Sequence, residues 1–134
     1  MAYVWSKDLE TGNPMIDAQH KELFAAFNQF LDACNQGKGK DEILKTMDFL
    51  INYTTKHFAD EQRLQMQHKY PEYNEHKKLH DDFKKTVVEL AEQLKKDGAS
   101  ISLVSKVSTT VGTWLRNHIK KEDKKVADHI KSKQ

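Results

Sequence analysis

Histidine is the residue type whose placement stands out in this chain of 134 residues. Of seven histidines, His20, His57, His76, His80 and His118 fall on stripes of apolar residues at helical spacing, and Glu61 does the same. A polar ring or carboxylate carried into a core without a partner costs on the order of a few kcal/mol. Six such groups therefore require something to bind. His57 and Glu61 are four residues apart, as are His76 and His80. Such pairs lie about 40° apart around a helix and about 6 Å apart along it, so both can reach one ion, or one can bind while the other bridges. Asp123 follows His118 by five residues, an offset of about 140° in an unbroken helix. It joins the set as a seventh donor only if the helix is interrupted or widened between the two.

Imidazoles with carboxylates suit iron, zinc, copper or nickel, and the absence of thiolate from the set excludes an iron–sulfur cluster. Seven donors are too many for one tetrahedral zinc and too few to fill two octahedra unaided. Two carboxylates able to bridge suggest a dinuclear centre. Ferritin-like di-iron sites use four Glu and two His. Beside them this set is rich in neutral donors, which stabilises high-valent iron less and favours a milder, reversible reaction with oxygen.

The elements that must position these residues are four helices. The first runs from about Asn13 to Gln36, with Asn13 as N-cap and Pro14 in the first helical position, and carries Ile16, His20, Leu23, Phe27, Phe30 and Cys34 in alternating steps of four and three. The break GKGK (37–40) follows, and Asp41 is expected to cap a second helix reaching about Gln67, striped by Ile43, Met47, Leu50, Thr54, His57, Glu61 and Leu64. After HKYPE (68–72), with Pro71 expected in the first turn, the third helix carries Tyr73, His76, His80, Phe83, Val87, Leu90 and Leu94. DGAS (97–100) supplies a Gly terminator and Ser100 as the next cap. Val104, Val107, Val111, Trp114 and His118 stripe the fourth helix. Short breaks make sequential helices antiparallel neighbours. The expected fold is all-α, an up-down-up-down four-helix bundle forming a single domain over 1–134. An N-terminal arm carrying Tyr3 and Trp5, and a short C-terminal helix or tail with Val126 and Ile130, complete it. In that topology the starts of odd helices and the ends of even ones share one end, so all the polar core groups converge on one level.

Composition narrows the rest. A net charge of +2 with scattered basic residues speaks against nucleic acid as the partner. No apolar run approaches the roughly 20 residues of a membrane span, and no basic stretch followed by an apolar one marks a signal peptide. The single Cys34 can form no internal disulfide, so a cytoplasmic setting is expected.

The order His20, HFADE (57–61), HKKLH (76–80) and HIKKED (118–123) resembles the hemerythrin family in its bacterial form, as do the opening WSKDLETGNPMIDAQHKELF and the segment KYPEYNEHKKLH. The likeness covers nearly the whole chain, and no donor position departs from the family's pattern. It implies that His76, His80 and His118 bind one iron and that His20 and His57 bind the other. Glu61, Asp123 and an oxo or hydroxo group would bridge the two ions, which cycle between Fe2+ and Fe3+. Dioxygen would bind reversibly, end-on, at the two-histidine iron, within a pocket matching Leu23, Phe58, Trp114, Leu115 and Ile119. A dry apolar pocket would slow loss of the bound oxygen as peroxide. Two six-coordinate ions offer twelve positions, of which the imidazoles, the bridging carboxylates and the oxo bridge take eleven. One is left open, for oxygen or, in the oxidised form, for a small anion such as azide. The implied activity is oxygen storage, delivery or sensing by a non-enzyme. A di-iron enzyme with oxidase, peroxidase or nitric-oxide-related turnover, and an iron-holding module, are the alternatives. A monomer is compatible with this reading, and an oxygen-consuming partner is left unspecified.

Other residues have plainer expectations. His68 and His129 lie off the constellation and are expected to be solvated, while Phe24, Phe27, Phe30 and Phe83 read as core. Trp5 anchors the arm, Cys34 is structural, and Tyr53, one turn before His57, is either core or a hydrogen-bond donor to it.

Overall fold

The structure is a computed structural model that describes residues 5–132, so Tyr3 of the expected arm lies outside the described residues. A 3-10 turn, Lys7–Leu9, precedes α1 (Pro14–Asn35), α2 (Lys40–Gln67) and α3 (Tyr73–Asp97). The last helix comprises α4 (Ile101–Val107), α5 (Thr113–His118) and α6 (Lys124–Ser132), joined end to end by the π-helical stretches Ser108–Gly112 and Ile119–Asp123. No strand occurs among the described residues, and the molecule is an all-α bundle with α1 packed on α2 and α2 on α3. No described helix is long and apolar enough to cross a membrane.

Local chemistry accounts for the boundaries. The Asn13 side chain accepts from the Ile16 amide at 3.1 Å, with Pro14 opening α1. The Asp17 carboxylate accepts from the Thr11 amide (2.8 Å), the Thr11 hydroxyl (2.7 Å) and the Gly12 amide (3.1 Å), which fastens the incoming chain to the first turn. Gly12 there has φ 94°, a conformation costly for a residue with a Cβ. Gly98, at φ 79°, ends α3, and the Ser100 hydroxyl caps α4 by accepting from the Leu103 amide at 3.1 Å. Two expected boundaries shift. The cap of α2 is Gly39, in extended conformation, and Asp41 sits inside the first turn, where its charge favours the helix N-terminus without capping it. Pro71 lies in the turn before α3, which opens at Tyr73 with Glu72 as its cap.

The fourth helix has a register that a regular α-helix would not hold. Val107, Val111, Leu115, Ile119, Asp123 and Ala127 are all buried, each four residues after the last. In a straight α-helix every such step rotates the buried face by about 40°, so five steps carry it about 200° around. A π turn takes one extra residue without advancing the face, and the two π stretches bring the drift back. The second begins immediately after His118 and ends on Asp123, the widening that the five-residue offset requires. The expected short C-terminal helix is α6, which continues the last helix beyond the second π stretch. Its residues Val126, Ala127 and Ile130 pack with Ile16, Tyr70 and Leu64 into a small apolar cluster. The main core, including Phe27, Phe30, Met47, Leu50, Leu90 and Val111, fills the rest of the bundle. In α1, His20 falls between Ile16 of the small cluster and Leu23 of the main one, and in the last helix Asp123 falls between Ile119 and Val126.

Candidate metal centre

Two groups of buried donors share two members. Glu61, His76, His80, His118 and Asp123 form one, and His20, His57, Glu61 and Asp123 form the other; within each, the donor atoms lie within 4.8 Å of one another. All seven side chains are buried, with His20, Glu61 and His80 at 0% exposure. In the first group His118 Nε2 lies 3.1 Å from the Nε2 of both His80 and His76. Right-angled donors around an ion at about 2.1 Å would stand about 3 Å apart. His76 Nε2 is 2.9 Å from Glu61 Oε1 and 3.0 Å from Asp123 Oδ1, and His118 Nε2 is 2.9 Å from Asp123 Oδ1. In the second group His20 Nε2 is 2.7 Å from Asp123 Oδ2, and His57 Nε2 is 3.4 Å from Glu61 Oε2. Each carboxylate thus turns one oxygen toward the three-histidine group and the other toward the two-histidine group.

This arrangement fits cations better than a hydrogen-bonded network. His20 Nε2, His57 Nε2, Glu61 Oε2 and Asp123 Oδ1 are buried without a hydrogen-bond partner, even where the distance is short. His118 Nε2 alone meets two imidazole nitrogens and a carboxylate oxygen, more partners than a single N–H can serve. The charged partners of Glu61 and Asp123 among the described residues are all imidazoles, with no Lys or Arg. Two buried carboxylates without a fixed positive charge are costly, by several kcal/mol each. Burial would raise the Asp123 pKa, but the imidazoles against it, His118 first and then His20 and His76, hold it well below the usual carboxylate range. Burial pushes His76 down, yet its bonds to Asp123 and Glu61 outweigh this and lift it to about 9. Burial, followed by the charges of His76 and His118, drives His80 far below the ordinary imidazole value. Without cations the cluster therefore keeps Asp123 ionised and holds a proton at His76, which metal ions would displace.

The surroundings are aromatic. Phe58 lies flat on His80, with ring centroids 3.7 Å apart and planes 2° from parallel, and it also meets His57 at 5.9 Å. Trp114 stacks on His118 at 4.2 Å and on Phe83 at 3.8 Å. Of the expected pocket residues, Leu23, Phe58, Leu115 and Ile119 are buried. Trp114 is half-buried and lines a surface groove of about 460 Å³ with Leu79, Thr110, Thr113 and His118. On the two-histidine side, Trp5 of the arm meets His20 at 6.3 Å and packs edge-on against Phe24. The arm is held by buried Leu9 and by an Asp8–Lys120 ion pair of 3.0 Å, which ties it to the π turn bearing Asp123.

Several neighbours of the centre were not expected from the sequence. Gln19 and Gln62 approach the Nδ1 atoms of His57 and His80 at 2.7 and 3.2 Å, and the Gln65 amide donates to Glu61 at 3.4 Å. Gln65 had a readable signal, a Gln one turn after Glu61 on the same stripe; Gln19 and Gln62 lie on half-exposed faces and had none. Tyr53 takes no part: its ring stacks on Phe49, and Gln19 holds the position it would have filled. His68 and His129 stay outside the donor groups, but His129 is not a solvated tail residue. It is half-buried, donates from Nε2 to the His68 carbonyl at 2.8 Å, and meets Tyr70 at 5.4 Å.

Comparison with known proteins agrees with this chemistry. The family model described as the hemerythrin HHE cation binding domain matches residues 11–130, a span containing every member of both donor groups. A bacteriohemerythrin of Stenotrophomonas maltophilia is 32% identical over 96% of this chain and 82% of its own length. One from Pseudomonas aeruginosa is 33% identical over 96% and 81%. A third, from Methylococcus capsulatus, is 37% identical over 81% of this chain and 80% of its own. A cation-binding family model spanning the whole cluster, joined by relatives of this similarity along most of the chain, makes this protein a member of the hemerythrin family.

Proposed function

We propose that this chain is a single-domain, monomeric oxygen carrier, storing, delivering or sensing O2 at two iron ions without turning it over as an enzyme. The observation that carries this reading is the division of each bridging carboxylate: Oε1 of Glu61 and Oδ1 of Asp123 face three imidazoles, while Oε2 and Oδ2 face two. His76, His80 and His118 would hold one iron, His20 and His57 the other, and Glu61 and Asp123 would link them. Iron, when bound, supplies the redox change and the coordination position that oxygen binding needs. The donor set carries only two negative charges, which supports reversible chemistry over oxidative turnover.

The remaining residues exclude water and hold the donors. Phe58 and Trp114 fix the planes of His80 and His118 by stacking. Leu23, Leu115 and Ile119 contribute apolar walls, which deny a proton source to the bound ligand. Exposure of the reduced, iron-loaded protein to air tests this function. Charge-transfer bands in the near-ultraviolet and visible should appear with oxygen and vanish when it is removed, over repeated cycles. Steady oxygen consumption with a reductant would instead make the protein an oxidase, and one zinc per chain after iron-replete expression would contradict the di-iron reading.

A further inference from the structure

His57 differs from the other imidazoles of the centre in how its outer nitrogen is held. Its Nδ1 lies 2.7 Å from Gln19 Oε1, and the same amide places Nε2 at 2.9 Å from Asp60 Oδ2. Asp60 is held in turn by Lys56 at 3.2 Å and Arg63 at 3.3 Å, both from its own helix, at a partly exposed position. An ionised carboxylate only accepts hydrogen bonds. The Gln19 NH2 must therefore face Asp60, and the planar amide presents its oxygen to His57. That oxygen can accept only from a protonated Nδ1. The Nδ1 proton leaves the Nε2 lone pair free, and Nε2 is the atom 3.4 Å from Glu61 Oε2.

Among the described residues, His20, His76 and His80 have no equivalent. The Nδ1 atoms of His20 and His76 are buried without a hydrogen-bond partner. His80 Nδ1 faces the Gln62 amide at 3.2 Å, and Gln62 has no carboxylate beyond it to decide which end of the amide points inward.

We propose that Gln19 is a positioning residue for His57, and that Asp60 acts through it: an ion pair at the surface of α2 sets the tautomer of a buried imidazole before any metal arrives. The relay crosses from α2 to α1 and back, so it also fixes the ring plane of His57 relative to His20, its partner in the two-histidine group. Such outer contacts of metal-binding histidines change metal affinity by about 10–100-fold. The metal consequence rests on the di-iron reading above; the tautomer does not.

Long-range 1H–15N spectra of the metal-free full chain test the relay, recorded near pH 8, where an ordinary imidazole is neutral. Wild-type His57 should show one tautomer, protonated at Nδ1. Gln19→Leu should lose that preference. Asp60→Asn should weaken it, because an amide at that position can donate as well as accept and lets the Gln19 amide reverse. The Gln19→Glu/Asp60→Asn double variant should restore the Nδ1–H form, since a carboxylate then accepts from His57 and an amide donates to it. In iron titrations, uptake of the second ion should weaken about 10–100-fold in the two single variants and recover in the double. An unchanged His57 tautomer in both single variants would overturn the relay. If the tautomer responds as described while no variant or wild type takes up iron, the relay stands and the di-iron reading falls.

Discussion

The two halves of the centre are built on the same two carboxylates and finished differently. The three-histidine half is tiled with rings: Phe58 on His80, Trp114 on His118, and Phe83 behind Trp114. His118 Nε2 lies 3.1 Å from the Nε2 atoms of both His80 and His76, leaving little room for anything but an ion. The two-histidine half has one fewer nitrogen, an anchored tautomer at His57, and a cover assembled from other parts of the chain. Leu23, one turn after His20, leans back over that turn, and Trp5 arrives from the arm. The difference teaches that two donor groups sharing the same carboxylates can be finished with unequal numbers of imidazoles and with different packing. The three-histidine side is packed by stacked rings, and the two-histidine side is covered by Leu23 and the arm.

Removing what the halves share should have the largest effect. Asp123→Ala takes an oxygen from both groups, so iron content should fall from about two per chain to well below one, while circular dichroism keeps its helical signal. Retention of both ions would show that Asp123 bridges nothing. A donor belonging to one half should separate them. His57→Ala leaves the five-member group intact, so about one iron per chain should remain. Loss of both ions would mean that the halves do not bind independently.

Aromatic covers come next. Trp114 stacks on two rings, and its replacement by Ala should destabilise the metal-free protein by about 2–3 kcal/mol, read from urea unfolding. Trp5→Ala should cost less, about 1 kcal/mol, because the arm keeps Leu9 in the core. Equal losses would place the two tryptophans in equivalent roles. Smallest in stability, but specific to the two-histidine half, Leu23→Gln should speed autoxidation several-fold while iron content stays unchanged. An unaltered rate would put the oxygen pocket elsewhere.

How much of this could be read from the sequence depended on whether a residue's role follows from its own helical face. His20, His57, Glu61, His76, His80 and His118 were legible because each interrupts an apolar stripe at a regular step, and antiparallel topology alone brings them level. Asp123 was legible as a condition: its five-residue offset demanded a widened turn, and the π stretch Ile119–Asp123 supplies it. The first π stretch, Ser108–Gly112, was not foreseen, although Val107, Val111, Leu115 and Ile119 already ran in steps of four. The competing step from Val111 to Trp114 to His118 suggested an ordinary stripe and hid the drift. The capping choice between Gly39 and Asp41 turned on backbone angles that neighbouring residue types do not determine. Gln19 was the least legible residue, because both its acceptor, Asp60, and its proton donor, His57, lie on the neighbouring helix α2, and half-exposed polar residues carry no periodic signal.

The asymmetry itself is open to direct measurement. If both carboxylates bridge and an oxo group is the third link, five imidazoles leave a single open position, on the two-histidine iron. Titration of the diferric protein with azide, followed by its charge-transfer absorbance, should then saturate at one azide per pair of irons. It should also compete with ligands of the oxygen site. Saturation at two azides per pair would mean that a carboxylate binds only one ion, and the division of the centre into a closed half and a receptive half would fail.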